Sequence, residues 1–338
     1  MFTKSSVLNC LFTGVRVAAA AALLSSGAAF AQQPITLHGA VQFADDHVFT
    51  RGMVRFQELV VKYYGKPVNF VLHKNSELGL EKDYFGYLNQ GISVDYAIVS
   101  PAHMSTFAKA APLLDMPFLF RDIPHWYKVL DESDAFQPII DEVNKKADVM
   151  IIGYYGGGTR NIFANRPASN IAELKGLSIR VMGAPIQTQM FQAIGTKPSV
   201  IAYNEIYNAI QTGVIQSAEN EAAGVEAFKF YEVAPNIIQT QHAITVRPLC
   251  FSGKTFRKLP PELQAAIVKA GKEAGKYGRD LESQADSGVL QRLEKEGKLK
   301  IIPFTERAKL FEMAQPVKQA YAKEVGATDI LNKVDAIK

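Results

Sequence analysis

"YFGYLNQGISVDYAIVS", residues 84–100, and "EIYNAIQTGVIQSAEN", residues 205–220, share one layout. Each carries an aromatic residue (Tyr87, Tyr207), an apolar residue three places before a glycine (Leu88 before Gly91, Ile210 before Gly213), and a β-branched restart (Ile92, Val214). The apolar spacing before the glycine is helical, the glycine is a helix stop, and the alternation after it is that of a strand. Each stretch therefore reads as helix, glycine turn, strand, and the repetition is a weak sign of internal duplication: two similarly built lobes.

The same reading extends outward. "PITLHGAV" (34–41) predicts a first strand, "RGMVRFQELVVKYYGK" (51–66) a helix with Val54, Leu59 and Tyr63 at helical spacing and a stop at Gly65, and "PVNFVLHKN" (67–75) a second strand. With a helix over 81–91 and a strand over 93–100, this gives the β-α-β-α-β alternation of an α/β domain with a largely parallel sheet. The pattern returns with the apolar run "VMIIGYYGGG" (149–158), a short helix over 170–176, the strand "GLSIRVMG" (176–183), a helix over 203–213 and a strand over 214–220. Residues 259–297 read as a long helical stretch entered through Pro260 and Pro261, where prolines are tolerated. A strand over 298–304 and a helical end follow. No low-complexity linker divides the chain, so strands crossing between the lobes are expected to join them.

The first 31 of the 338 residues have the marks of an export leader. Lys4 and Arg16 are unopposed by acid, Val17–Leu24 is apolar, and Ala29-Phe30-Ala31 is an A-x-A cleavage site, so cleavage before Gln32 is expected. Removing 31 residues leaves 307, enough for two lobes. The balance of charge is then 35 basic against 33 acidic residues, which is no nucleic-acid footprint. Cys250 alone of the two cysteines remains, so an intramolecular disulfide is excluded and a buried structural thiol is expected.

In open α/β sheets ligands collect at the carboxyl ends of strands. Asn75, Ser100, Arg180 and Asn220 fall at such ends, and Arg160 follows the glycine run. Two guanidinium forks and an amide facing one cleft suit a small carboxylate. The plainer alternative is that each arginine pairs with a nearby Asp or Glu. Other chemistry is less well supplied. "GYYGGG" lacks the spacing of a phosphate loop and is better read as a place of close backbone approach or crossover. Asp45, Asp46 and His47 are consecutive and cannot all face one metal, so a solvated loop or a helix cap is expected there. No H-E-x-x-H, no G-x-S-x-G and no cofactor motif is present, and Trp126 reads as a packed helix aromatic.

Several segments together resemble the DctP family, the solute-binding subunits of TRAP (tripartite ATP-independent periplasmic) transporters. "SELGLEKDYFGYLNQGISVDYAIVSP" (76–101), "LLDMPFLFRD" (113–122), "GTRNIFANRPASNIAELKGLSIRVMG" (158–183), "EIYNAIQTGVIQSAEN" and "FYEVAPNIIQTQHAI" (230–244) are similar to the family's motifs, in the family's order. The resemblance implies an α/β, two-lobed periplasmic binding protein of type II-like fold. Its lobes are discontinuous, residues 32–157 with 246–285 and residues 158–245 with 286–338, and the long helix spans both. It further implies that Arg180 pairs with a ligand carboxylate, that Arg160 and Asn220 match family site positions, and that Tyr203 matches an aromatic position that packs on the ligand. The chain departs from the family pattern at Gln216-Ser217 and at Glu221, where proline is common. Glu221 is open to two readings, an acceptor for ligand hydroxyls or a solvent-facing helix cap.

The function these features imply is capture of a small organic acid, a hydroxy or sugar acid in preference, and its delivery to membrane permease subunits of a TRAP transporter. The expected protein is periplasmic, monomeric and not an enzyme, with no cofactor, metal or nucleic acid. A ligand-sensing module for a membrane receptor would share the same site, and an exported enzyme on a similar fold is a further alternative. Polar neighbours at Asn75, Ser100 and Glu221 favour a hydroxylated acid.

Overall fold

Nine strands carry the fold of residues 35–338, which the computed structural model describes. The expected leader lies outside the described residues. In chain order the strands are β1 (Ile35–Ala40), β2 (Val68–His73), β3 (Tyr96–Ile98), β4 (Val149–Ala164), β5 (Ser178–Val181), β6 (Lys197–Val200), β7 (Ser217–Asn220), β8 (Asn236–Ser252) and β9 (Lys300–Pro303). They form one sheet in the order β2-β1-β3-β8-β4-β7-β5-β6, with β9 paired to β8 beside that path. The two ends match. In each, the first strand lies in the middle, the second at the outer edge and the third against the centre, and all three are parallel. This is the two-lobed layout that the repeated helix-glycine-strand stretches predict.

The sheet is mixed, however, not largely parallel. Its centre is an antiparallel pair of long strands, β4 with 16 residues and β8 with 17, and each is antiparallel to its inner neighbour. β8 carries none of the helix-glycine spacing that marks the outer units, so that reading passes over it. β4 extends six residues beyond the expected apolar run. Its pairing with β8 shifts register between Gly156 and Thr159, where Gly156 and Gly157 both hold φ near +111°, a region that disfavours a side chain. The glycine run is thus a bulge in a continuous crossing strand.

The helix Val48–Tyr64 begins before the expected residue 51, because His47 Nδ1 accepts the Phe49 N–H (3.2 Å) and caps it. It ends, as expected, at Gly65 in the left-handed conformation. Phe49, Met53, Phe56 and Leu59 face the core, and Val54 lies on the outer side. Trp126 is fully buried on the helix Ile123–Asp131. Removing about 200 Å² of aromatic surface from water contributes about 5 kcal/mol. Cys250 is buried, and free among the described residues, as expected of a structural thiol.

The long helix is Pro261–Lys295, 35 residues. It can lie directly on β4 because both carry glycines where they meet. A Cβ on Gly153 would stand 2.2 Å from the Gly271 carbonyl oxygen, and one on Gly275 would stand 2.7 Å from the Tyr154 oxygen. The helix therefore packs backbone to backbone along the crossing strand, and touches the helix Val48–Tyr64 at one end and the helix Ala222–Ala227 nearer the other.

Candidate functional site

The parallel strands of both ends deliver their carboxyl termini to one cavity of about 310 Å³. Gln42 and Phe43 follow β1, Ser100 and Ala102 follow β3, Met182 follows β5, Ile201 and Tyr203 follow β6, and Glu221 follows Asn220 at the end of β7. Six of the seven residues singled out from sequence meet here: Ser100, Arg160, Arg180, Tyr203, Asn220 and Glu221. The seventh, Asn75, lines a neighbouring second cavity on the other side of Phe43 and Gln42.

Arg180 is 4% exposed. Its Nε donates to the Ile201 carbonyl (2.8 Å), its guanidinium lies 5.6 Å from the Tyr203 ring centroid, and it makes no ion pair among the described residues. Burial drags its pKa down to about 10, with Glu219 and Tyr203 pulling the other way, so it holds its charge at neutral pH. A buried, charged fork with its Nη atoms uncommitted is set up for an anion.

Arg160 behaves differently, and here the plainer alternative is the right one. The pairing of β4 with β7 sets Ile162 opposite Glu219, and the Arg160 fork grips that carboxylate at both ends, Nε to Oε2 (2.6 Å) and Nη2 to Oε1 (2.9 Å). Nη2 also donates to the Glu219 carbonyl (3.0 Å), and Nη1 to Glu221. Four of its five N–H donors are committed. Burial opposes the charge on Arg160, but Glu219 and Glu221 carry its pKa well above the ordinary value. Burial likewise opposes the charge on Glu219, and Arg160 with His242 overrides it, to about 2. Arg160 is thus a fixed part of the cavity wall with one donor to spare.

Glu221 is not a solvent-facing cap. It stands at the N-cap position of the helix Ala222–Ala227, but its side chain is buried, accepting from Arg160 and from the Thr245 hydroxyl (3.2 Å). Asn220 is oriented by its chain neighbour: its Oδ1 accepts the Glu221 N–H (3.0 Å), which turns Nδ2 to the Tyr203 hydroxyl (2.6 Å). Ser100 donates its backbone N–H to Glu81 (2.6 Å) and caps the 3₁₀ turn Pro101–Met104. His47 is the helix cap, buried rather than solvated, and the neighbouring Asp45 and Asp46 are exposed.

Sequence reasoning missed Arg247, Glu81 and His103, which also line the cavity. Arg247 is buried on β8 and pairs with Asp115 (2.7 Å). Burial lowers its pKa, yet Asp115 and Glu81 more than offset that and raise it. Its signal was in the chain, an arginine inside the apolar run "AITVRPLC" (243–250), the same kind of signal that marked Arg180. Burial pushes the Glu81 carboxyl up against the pull of Arg247. His103 is pressed down to about 3 by burial, Arg247 and Arg180, and is neutral. Across the lining and its direct partners, four cations (Lys82, Arg160, Arg180, Arg247) face four carboxyls (Glu81, Asp115, Glu219, Glu221), and Arg180 alone of the three buried guanidiniums lacks a carboxylate.

The comparisons with known proteins give the chain a family. The family model for bacterial extracellular solute-binding protein, family 7 (DctP), matches residues 39–324. A solute-binding protein of Sulfitobacter sp. strain NAS-14.1 is 51% identical over 335 residues, covering 99% of each chain. A TRAP periplasmic solute-binding protein from Sulfitobacter sp. NAS-14.1, solved with bound α-D-taluronate, superposes with a TM-score of 0.87 at 52% identity and covers 89% of this chain and 97% of its own. A second from Sulfitobacter sp. NAS-14.1, holding β-D-galacturonate, superposes at 0.81 with 25% identity over 88% and 98% of the two chains. With a family model spanning residues 39–324 and a relative 51% identical over 99% of each chain, on the same two-lobed fold, this chain belongs to the DctP family of TRAP periplasmic solute-binding proteins.

Proposed function

We propose that the protein captures a sugar monocarboxylate of the hexuronate class and delivers it to TRAP permease subunits. The single observation that carries this is Arg180: a buried guanidinium with no carboxylate partner among the described residues, in a cavity whose other buried arginines are already paired. One ligand carboxylate meets one free fork. A second carboxylate on the ligand finds no uncommitted buried cation, which argues for a monoacid over a dicarboxylate. Asn220, Tyr203, Ser100, Glu81, Glu221 and Arg247 offer hydroxyl partners around the rest of the cavity. The taluronate and galacturonate held by the two relatives are acids of this class.

As a family member the protein works in the periplasm. Cleavage of the leader before Gln32, action as a monomer and the absence of catalysis belong to the same proposal. The lobes are residues 32–157 with 246–285 and residues 158–245 with 286–338. In support of that division, Gly156 pairs with Val246 just where the β4–β8 register breaks. A thermal-shift screen across hexuronates, aldonates and C4-dicarboxylates tests the reading. A fitting hexuronate at a hundred times its Kd stabilises the folded state by about 2.7 kcal/mol. Dicarboxylates that shift the melting temperature more than any uronate would overturn it.

A further inference from the structure

Glu282, on the long helix, is 1% exposed, and neither of its carboxyl oxygens has a hydrogen-bond partner among the described residues. A buried carboxylate without donors is disfavoured, so while the group stays buried it holds a proton. The charged groups around it supply no rescue. On its own helix, Asp286 accepts the Thr159 and Ala222 N–H groups, and Arg279 donates to the Tyr154 carbonyl and to Asp131. From β4, Arg160 is spent on Glu219 and Glu221; from β8, Arg247 is spent on Asp115.

The second cavity beside Glu282 is lined from one end of the sheet by Asp46, His47 and Arg51, and from the other by Glu226 and Lys229. Of these only His47 is buried. Its Nδ1 accepts the Phe49 N–H, so the hydrogen sits on Nε2. Burial lowers it to about 4, which leaves it neutral and no counter-ion.

Glu282 also reaches the solute cavity at one remove. A Cβ on Gly158 would stand 2.5 Å from Glu282 Oε1 and 2.6 Å from the Glu221 Cβ, so the two glutamates flank the same glycine of β4. Glu221 lines the solute cavity and Glu282 lines the second one. The second cavity is closed by residues from both ends of the sheet, Phe43 after β1 and Phe228 after β7, with ring centroids 5.7 Å apart. Because its walls come from both ends of the sheet, the separation of those ends would set how far water reaches Glu282.

We infer that closure over an anionic solute traps a proton on Glu282, so that solute binding is linked to proton uptake. Charge gives the direction: a monoacid brings a fifth carboxylate to the four that already face four cations, and Glu282, a further carboxyl outside that count and without donors, is the one that must stay neutral beside it. This rests on the reading of the principal cavity as an anion site.

The test is isothermal titration of the wild-type protein with D-taluronate, D-galacturonate and D-glucuronate in phosphate and in Tris, between about pH 6 and pH 9. The buffer dependence of the heat gives the protons taken up. The wild type is expected to take up protons and to lose affinity by up to about tenfold per pH unit on the alkaline side, and Glu282→Gln, the neutral isostere, to bind with a flat profile and no uptake from this group. Should that variant not fold, the wild-type measurement still decides: binding without uptake at any pH overturns the inference. Uptake in Glu282→Gln equal to that of the wild type also overturns it. No binding by any of the three acids overturns the anion-site reading instead, and is told apart by the absence of any heat or thermal shift.

Discussion

Replacing Arg180 by methionine should make the empty protein slightly more stable and leave it almost unable to bind its solute. Methionine keeps the aliphatic stem and removes the charge. Dragging the Arg180 pKa down to about 10 corresponds to about 3 kcal/mol spent on holding the charge in the folded state. The hydrogen bond from Nε to the Ile201 carbonyl returns about 2 kcal/mol of that. The balance, about 1 kcal/mol, favours Arg180→Met and corresponds to a rise in melting temperature of about 2 °C. The solute tells the opposite story. Its carboxylate, brought into the cavity without a cation, loses about 3–5 kcal/mol, an affinity drop of hundreds to thousands of fold. Differential scanning calorimetry on the ligand-free protein and isothermal titration with a hexuronate measure both signs on one preparation. A variant that melts several degrees below wild type would show that Arg180 supports the fold, and affinity within about tenfold of wild type would show that the anion sits elsewhere.

Two further substitutions separate wall from site. Arg160→Met leaves Glu219 and Glu221 buried without their cation, and urea unfolding should show a loss of about 3–5 kcal/mol. Glu219 is held at about 2, below the ordinary carboxylate range, so its stabilisation is present above that range and is lost as pH falls toward 2. The variant should accordingly unfold in acid at a higher pH than wild type, and an unchanged acid limb would refute the pairing. Gly271→Ala puts a Cβ 2.6 Å from the Ile152 carbonyl oxygen, a backbone atom that cannot rotate away. It should cost about 1–3 kcal/mol by thermal melt, whereas Gly288→Ala, which meets nothing, should not destabilise.

The outer units were legible because each is a local affair. Gly65, Gly91 and Gly213 stop helices within a few residues of the apolar positions that start them, and the strand that follows is written in alternation. The centre was not, because β8 owes its place to partners as far as 155 residues away, Tyr96 against Phe251 among them. The site divided along the same line. Arg180 stood out because a charge inside an apolar strand is visible without its partner, although that it has none became visible only in the fold. Arg247 did not, since Asp115 lies 132 residues from it, and the fate of Arg160 turned on a carboxylate 59 residues on. Glu221 was ambiguous for a physical reason: the N-cap position says where its backbone goes, and only the arginine behind it says where its side chain turns.

The central pair of strands also sets the order in which the chain can finish folding. Both ends of the sheet close against β4 and β8, and β8 ends only at Ser252. Until that segment has emerged, the inner edges of β3 and β4 have nothing to bond, and neither end can complete its core. A chain built this way can join the two ends of its sheet only when about three-quarters of its length is made. In a periplasmic family, whose members cross a membrane before they work, the central pairing of β4 with β8 thus falls late in synthesis.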